Sequence, residues 1–193
     1  MVHLRKQCDP NLHSSKSVIA VTGLPGAGKA IASSLAKDRS IPVFSCGDVI
    51  REEASDRRLL PTPENLGRLM LEMRKEYGPD IMAKRLEPKI KMVQPDLVVV
   101  EGLRSLDEVE AFKKVFNVAI LAIHSPPEQR FQRLLKRKRS DDPRNMEEFR
   151  ERDYRELAVG VGSVIALADN LIVNDSTIEA FRLKLNRFYE EVR

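Results

Sequence analysis

Apolar residues in this chain fall into short continuous runs set between longer stretches of helical spacing. Ser17–Thr22, Pro42–Ser45, Leu97–Glu101, Val118–Ile123 and Leu171–Asn174 read as five strands. Most of them do not alternate with polar residues, the habit of strands buried on both faces in a parallel sheet covered by helices. Helical patterns lie between them: one after Gly28, others within Asp48–Val93, then Asp107–Val115, Glu128–Ala168 and Ile178–Val192. The alternation predicts an α/β fold with a five-stranded, mainly parallel sheet flanked by helices. The best-marked helix starts at Pro63, with Thr62 as its cap and Gly78-Pro79 as its stop. Leu66, Leu69, Met70, Met73 and Tyr77 give it one apolar face.

A length of 193 residues suits one domain with a real core. The polar stretch 1–16 is expected to be a flexible tail, leaving 17–193 as a single domain. No apolar run is long enough to cross a membrane and the tail has no signal-peptide core. Two cysteines, Cys8 and Cys46, argue against a disulfide framework. A soluble, cytoplasmic protein is expected. The histidines His3, His13 and His124 lack ligand spacing, and a net charge of +4 decides little about partners.

The chemistry starts where the first strand runs into Gly23-Leu24-Pro25-Gly26-Ala27-Gly28-Lys29-Ala30 and then into a helix. Glycines let the backbone curl around an anion, the helix N-terminus adds partial positive charge, and Lys29 supplies a point charge for the outer phosphates. This is a P-loop, and the ligand it implies is ATP. One position departs from the pattern: the serine or threonine whose hydroxyl helps hold Mg²⁺ is replaced by Ala30.

The loop resembles that of the P-loop nucleoside monophosphate kinases, and the resemblance covers most of 17–193. In detail it is similar to a largely archaeal family of adenylate-kinase-like and dephospho-CoA-kinase-like proteins. In adenylate kinases the residue after the lysine is often glycine, followed by a threonine that is Ile31 here. The resemblance implies helical insertions for the acceptor (about 47–95) and for a lid (about 137–158). Ser45-Cys46-Gly47-Asp48-Val49-Ile50-Arg51 resembles the segment that opens the acceptor site, which implies Arg51 on the acceptor phosphate and Asp48 near the metal's water shell. Leu97–Glu101, followed by Gly102-Leu103-Arg104, resembles the strand that usually ends in Asp-Gly and then an arginine. It implies Glu101 toward Mg²⁺ and Arg104 as a second acceptor ligand. Cys46 reads as a small buried residue at a strand end.

Between Arg130 and Arg139 lie six basic residues and no acid, followed by Ser140-Asp141-Asp142-Pro143 and by Arg150 and Arg152. The pattern resembles the lid of uridylate, cytidylate and adenylate kinases, whose arginines close on the triphosphate. That implies catalytic roles for Lys29, Arg139 and Arg150, with Arg137 and Arg152 behind them. Phosphoryl transfer is catalysed mainly by positioning and electrostatics, so arginines suit it. The acids at 141–153 quiet the field of this run, and no aromatic residue is interleaved with it, which argues against a nucleic-acid partner. Gly160-Val161-Gly162 follows a helix rather than a strand and reads as a bend where the lid rejoins the body. The expected reaction is ATP plus a nucleoside monophosphate giving ADP plus the diphosphate, with Mg²⁺. The partners are small-molecule nucleotides. A kinase of another small acceptor such as dephospho-CoA, or a non-catalytic ATP-binding switch or nucleic-acid-associated module, stands as the alternative.

Overall fold

A computed structural model describes residues 16–192, so the expected tail at 1–16 lies almost wholly outside the described residues. Five strands, β1 (Ser17–Thr22), β2 (Val43–Ser45), β3 (Leu97–Glu101), β4 (Asn117–His124) and β5 (Asn170–Val173), form one sheet in the order β2-β3-β1-β4-β5. Every pairing is parallel. Pro42, expected in a strand, lies just outside β2; it has no N–H to give, but its carbonyl still accepts from Val99 at 2.9 Å.

Nine helices occur among the described residues: α1 (Lys29–Lys37), α2 (Cys46–Asp56), α3 (Pro63–Tyr77), α4 (Ile81–Met92), α5 (Leu106–Lys113), α6 (Pro127–Arg137), α7 (Met146–Val159), α8 (Val161–Ala166) and α9 (Ile178–Glu191). The continuous apolar strands feed two cores. Val18, Ala20, Val98 and Val100 face α2–α5 and α8, while Ile19, Val21, Val99 and Leu121 face α1 and α9. Strand period two persists with both faces apolar.

Local chemistry sets the helix ends. The Thr62 hydroxyl accepts from Asn65 N and caps α3 as the sequence predicts. Of that helix's apolar positions Leu69, Met70 and Met73 are buried, but Tyr77, in the last turn, is exposed. Ser105 and Glu108 close a capping box at the start of α5. Gly160, at φ 118°, ends α7 and starts α8, which makes the bend that returns the chain to the sheet. The segment 47–95 thus holds α2–α4. The segment 137–158 holds the end of α6, a loop and most of α7, joined by a small core of Phe131, Leu134 and Phe149. Among the described residues no helix is long and apolar enough to cross a membrane.

Candidate active site

The loop between β1 and α1 is built by close approach. Gly23 has φ 144°, and a Cβ there would stand 2.3 Å from the Ile123 carbonyl of β4; Gly28 has φ 118° and would put one 2.6 Å from Asn174 Nδ2. Only glycine allows both the backbone angle and the contact. Neighbours take the loop's carbonyls. Asn174 Nδ2 donates to Ala27 O at 2.8 Å, and Arg130 Nη1 donates to Pro25 O at 3.2 Å. The first N–H groups of α1 have no partner within the helix, the arrangement that receives phosphate. Lys29 Nζ donates to the Gly23 and Leu24 carbonyls. Burial, with Arg104 adding to it, lowers the Lys29 ammonium to about 8.

A cavity of about 440 Å³ opens over this loop at the carboxyl ends of the strands. Among the residues singled out from the sequence, Pro25, Gly26, Gly28, Lys29, Ala30, Arg51, Glu101, Arg104 and Arg139 line it. Gly23, Leu24 and Ala27 shape the loop without lining the cavity, and Asp48 and Arg150 also lie off its wall. Asp48 instead pairs with Arg51, three residues on and largely exposed, and Arg150 is exposed on α7. The sequence implied metal and lid roles for these two, and the geometry places them aside from the loop because each side chain lies on a solvent-facing stripe of its helix.

Glu101 ends β3 beside the loop, and the Ser33 hydroxyl donates to its Oε2. Among the described residues no three His, Cys, Asp or Glu side chains gather as a metal cage. A single carboxylate beside bound phosphates is the donor set that suits Mg²⁺, which keeps most of its waters. Glu101 fits that part; Ala30 contributes no oxygen. Cys46 is free and fully buried, and burial pushes its thiol far up, which makes it inert.

Arg104 follows β3 on a loop tied to β1: Thr22 Oγ1 donates to Leu103 O at 2.9 Å, and Gly102 N donates to Val21 O at 2.9 Å. Its Nε donates to Glu156 of α7, and its backbone N–H donates to Glu108 at 2.7 Å. Its Nη1 is buried and has no hydrogen-bond partner among the described residues. Burial alone would lower the guanidinium's proton affinity, but Glu156 outweighs it and keeps the group charged. For Glu156, burial works upward and Arg104, Lys29 and Arg152 together bring it below the usual carboxylate range. Arg104 also lines a smaller adjoining cavity of about 70 Å³ between α2, α3 and α7.

The basic helix α6 divides its arginines by face. Arg130 is buried, forms a bidentate pair with Asp153 at 2.8 and 2.6 Å and packs 4.9 Å from the Phe149 ring centroid. Arg133 donates to Ser125 Oγ at 2.8 Å and to Asn174 O at 3.1 Å, joining the two loops that border the cavity. Arg137 is held by Asp142, and Arg152 donates to Asp141 O at 2.6 Å. Arg139 lines the cavity with no side-chain hydrogen bond among the described residues. Sequence reading missed Ser33, Arg133 and Glu156 as site residues. Arg133 stood within the basic run, and its place one turn before Arg137 was the available signal; Ser33 and Glu156 carried none.

Fold and loop together define a P-loop kinase-like domain. A family model described as an AAA domain matches residues 22–150. The chain is 46% identical over 170 residues to a UPF0200 protein of Hyperthermus butylicus, covering 88% of this chain and 91% of that protein. It is 48% identical over 170 residues to a UPF0200 protein of Pyrococcus abyssi, covering 86% and 91%. The chain belongs to this UPF0200 family of archaeal proteins. Among solved structures it is similar to a shikimate kinase from Acinetobacter baumannii in complex with shikimate, at TM-score 0.58 and 15% identity, with 92% of each chain covered. TT1252 from Thermus thermophilus matches at TM-score 0.60 and 18% identity, over 92% of this chain and 98% of that one. At these identities the likeness is one of fold.

Proposed function

We propose that this protein transfers the terminal phosphoryl group of ATP to a small phosphorylated acceptor, a nucleoside monophosphate, releasing ADP and a diphosphate. The observation that carries the reading is Arg104: a mostly buried, charged guanidinium whose Nη1 lacks a hydrogen-bond partner among the described residues, standing where the phosphate-loop cavity meets a second, smaller one. A buried donor left unpaired is costly, and an anion arriving there removes the cost. Arg51 and Arg152 line both cavities beside it. The bond from the γ-phosphorus to the bridging oxygen of ADP breaks as a bond to an acceptor phosphate oxygen forms. Lys29 and the lid arginines Arg137, Arg139 and Arg152 stand where charge spreads over the transferring group. Mg²⁺, when bound with ATP, would neutralise phosphate charge, and Glu101, steadied by Ser33, is the residue that fits beside it.

The test is a screen of nucleoside monophosphates and dephospho-CoA with labelled ATP, followed by Arg51→Ala. Arg51 is partly exposed and its ion pair with Asp48 is local, so the variant leaves no buried charge behind. It should raise the KM for the acceptor about tenfold or more and leave ATP binding unchanged, the loss of one charge-assisted contact. Weakened ATP binding with an unchanged acceptor KM would move Arg51 to the donor side and remove the reading.

A further inference from the structure

Gly67 lies in the second turn of α3, where helical backbone makes no demand for glycine and where alanine forms helix better. Space explains it. A Cβ at Gly67 would stand 3.1 Å from Arg155 Cζ and 3.2 Å from its Nε and Nη1. The guanidinium of Arg155, carried by α7, therefore lies against the bare α-carbon of α3. Both residues line the smaller cavity, whose apolar wall is Ile50, Pro63, Leu66 and Met70. Arg155 has one hydrogen-bond partner among the described residues, Glu151 through Nη1 at 3.4 Å, and that carboxylate is 73% exposed. Such a pair is weak. Nε and Nη2 of Arg155 make no hydrogen bond.

Taking the monophosphate-kinase reading as its basis, we infer that Arg155, seated in the notch of Gly67, reads the base of the acceptor and selects guanine or cytosine over adenine and uracil. The apolar wall suits a flat ring, and Arg51 and Arg104 stand ready for its phosphate. Of the other charged groups on the wall, Asp141 is paired with Arg152 and Glu156 with Arg104, so the group left for the base edge is the Arg155 guanidinium, which only donates. Guanine presents adjacent acceptors at O6 and N7, and cytosine at O2 and N3, so a two-donor fork meets either without conflict. Adenine sets the N6 amino donor beside N1 and N7, and uracil sets N3–H between its carbonyls. Either would face donor with donor, the arrangement that a buried polar site rejects most strongly.

The experiment measures kcat/KM for GMP, CMP, AMP and UMP at saturating ATP, with calorimetric binding of the same four, in the full chain and in Arg155→Lys, Arg155→Ala and Gly67→Ala. GMP or CMP should exceed AMP and UMP about tenfold or more, the worth of one bidentate pair. Both Arg155 variants should collapse that ratio, by weakening GMP and CMP and relieving the rejection of AMP and UMP. Gly67→Ala, which puts a methyl group 3.1 Å from Arg155 Cζ and so pushes the guanidinium aside by a few tenths of an ångström, should lower the ratio with Arg155 still present. Preference for AMP or UMP overturns the inference. So does an equal loss for all four bases, which is what a mere staple between α3 and α7 would give. No turnover with any monophosphate, together with tighter GMP or CMP binding that Arg155→Ala abolishes, removes the kinase reading and sustains the base assignment. If none of the four binds, both fall.

Discussion

At the scale of single residues, Lys29 holds a charge in a partly buried place, and desolvation there, with Arg104 nearby, lowers its proton affinity to about 8. ATP stabilises the charged form, so the nucleotide binds best where Lys29 is already protonated. Below about pH 8 no proton need be taken up; above it, binding must also restore one, and affinity falls as pH rises. Calorimetric titration of ATP should give weaker binding at pH 9 than at pH 7, with proton uptake visible between buffers of different ionisation enthalpy. Lys29→Met should bind at least tenfold more weakly at pH 7 and lose this slope, since no other basic group of the loop replaces the charge. Ala30 makes the opposite kind of case. It lines the cavity in the first turn of α1, in the place of a metal-holding hydroxyl. Ala30→Thr should keep ATP affinity within about twofold and raise Mg²⁺-dependent turnover several-fold. An unchanged kcat, followed by steady-state assay across Mg²⁺ concentration, would assign metal placement to Glu101 alone.

At the scale of elements, the lid is fastened to the phosphate loop through one buried arginine. Arg130 bonds Pro25 O on the loop and Ser125 O after β4, and its charge is met by Asp153 of α7. Asp153→Ala leaves that guanidinium buried and unpaired, which costs about 3–5 kcal/mol. Urea denaturation should show the loss directly, and ATP affinity should fall with it because Pro25 loses its anchor. The element scale is also where sequence reading succeeds most plainly. Continuous apolar runs located all five strands within a residue or so; burial on both faces explains the pattern in β1, β3 and β4, while the edge strands β2 and β5 are only partly buried. Thr62 with Pro63, and Gly78 after them, marked α3 because caps are local chemistry. The partners of the arginines were illegible for the complementary reason. Arg104 and Glu156 are 52 residues apart, Arg130 and Asp153 are 23 apart, and only the packing of α7 against the sheet decides which acid meets which base. Gly67 carried no signal of its own, since the Arg155 guanidinium that lies against it comes from a helix far along the chain.

At the scale of the whole molecule, α7 meets the sheet through a buried ion pair, and that pair makes the fold's stability depend on what the cavity holds. Arg104 reaches Glu156 from a loop bound to β1, so the bond joins lid to core. Glu156→Gln keeps the shape and a hydrogen-bond acceptor but removes the charge opposite a buried guanidinium, a loss of about 3 kcal/mol. In a domain of this size that lowers Tm by roughly 6–12 °C. An anion at the free Nη1 would restore the missing charge. Inorganic phosphate should therefore stabilise Glu156→Gln more than the parent chain, because in the parent Arg104 is already half satisfied. Thermal unfolding across a phosphate series, at constant ionic strength set with chloride, checks this. The variant's Tm should climb toward the parent's as phosphate rises, and Arg104→Leu combined with Glu156→Leu should show no such climb from this site. Equal phosphate shifts in parent and variant would mean that Arg104 receives no anion, and the junction of the two cavities would then be structural alone.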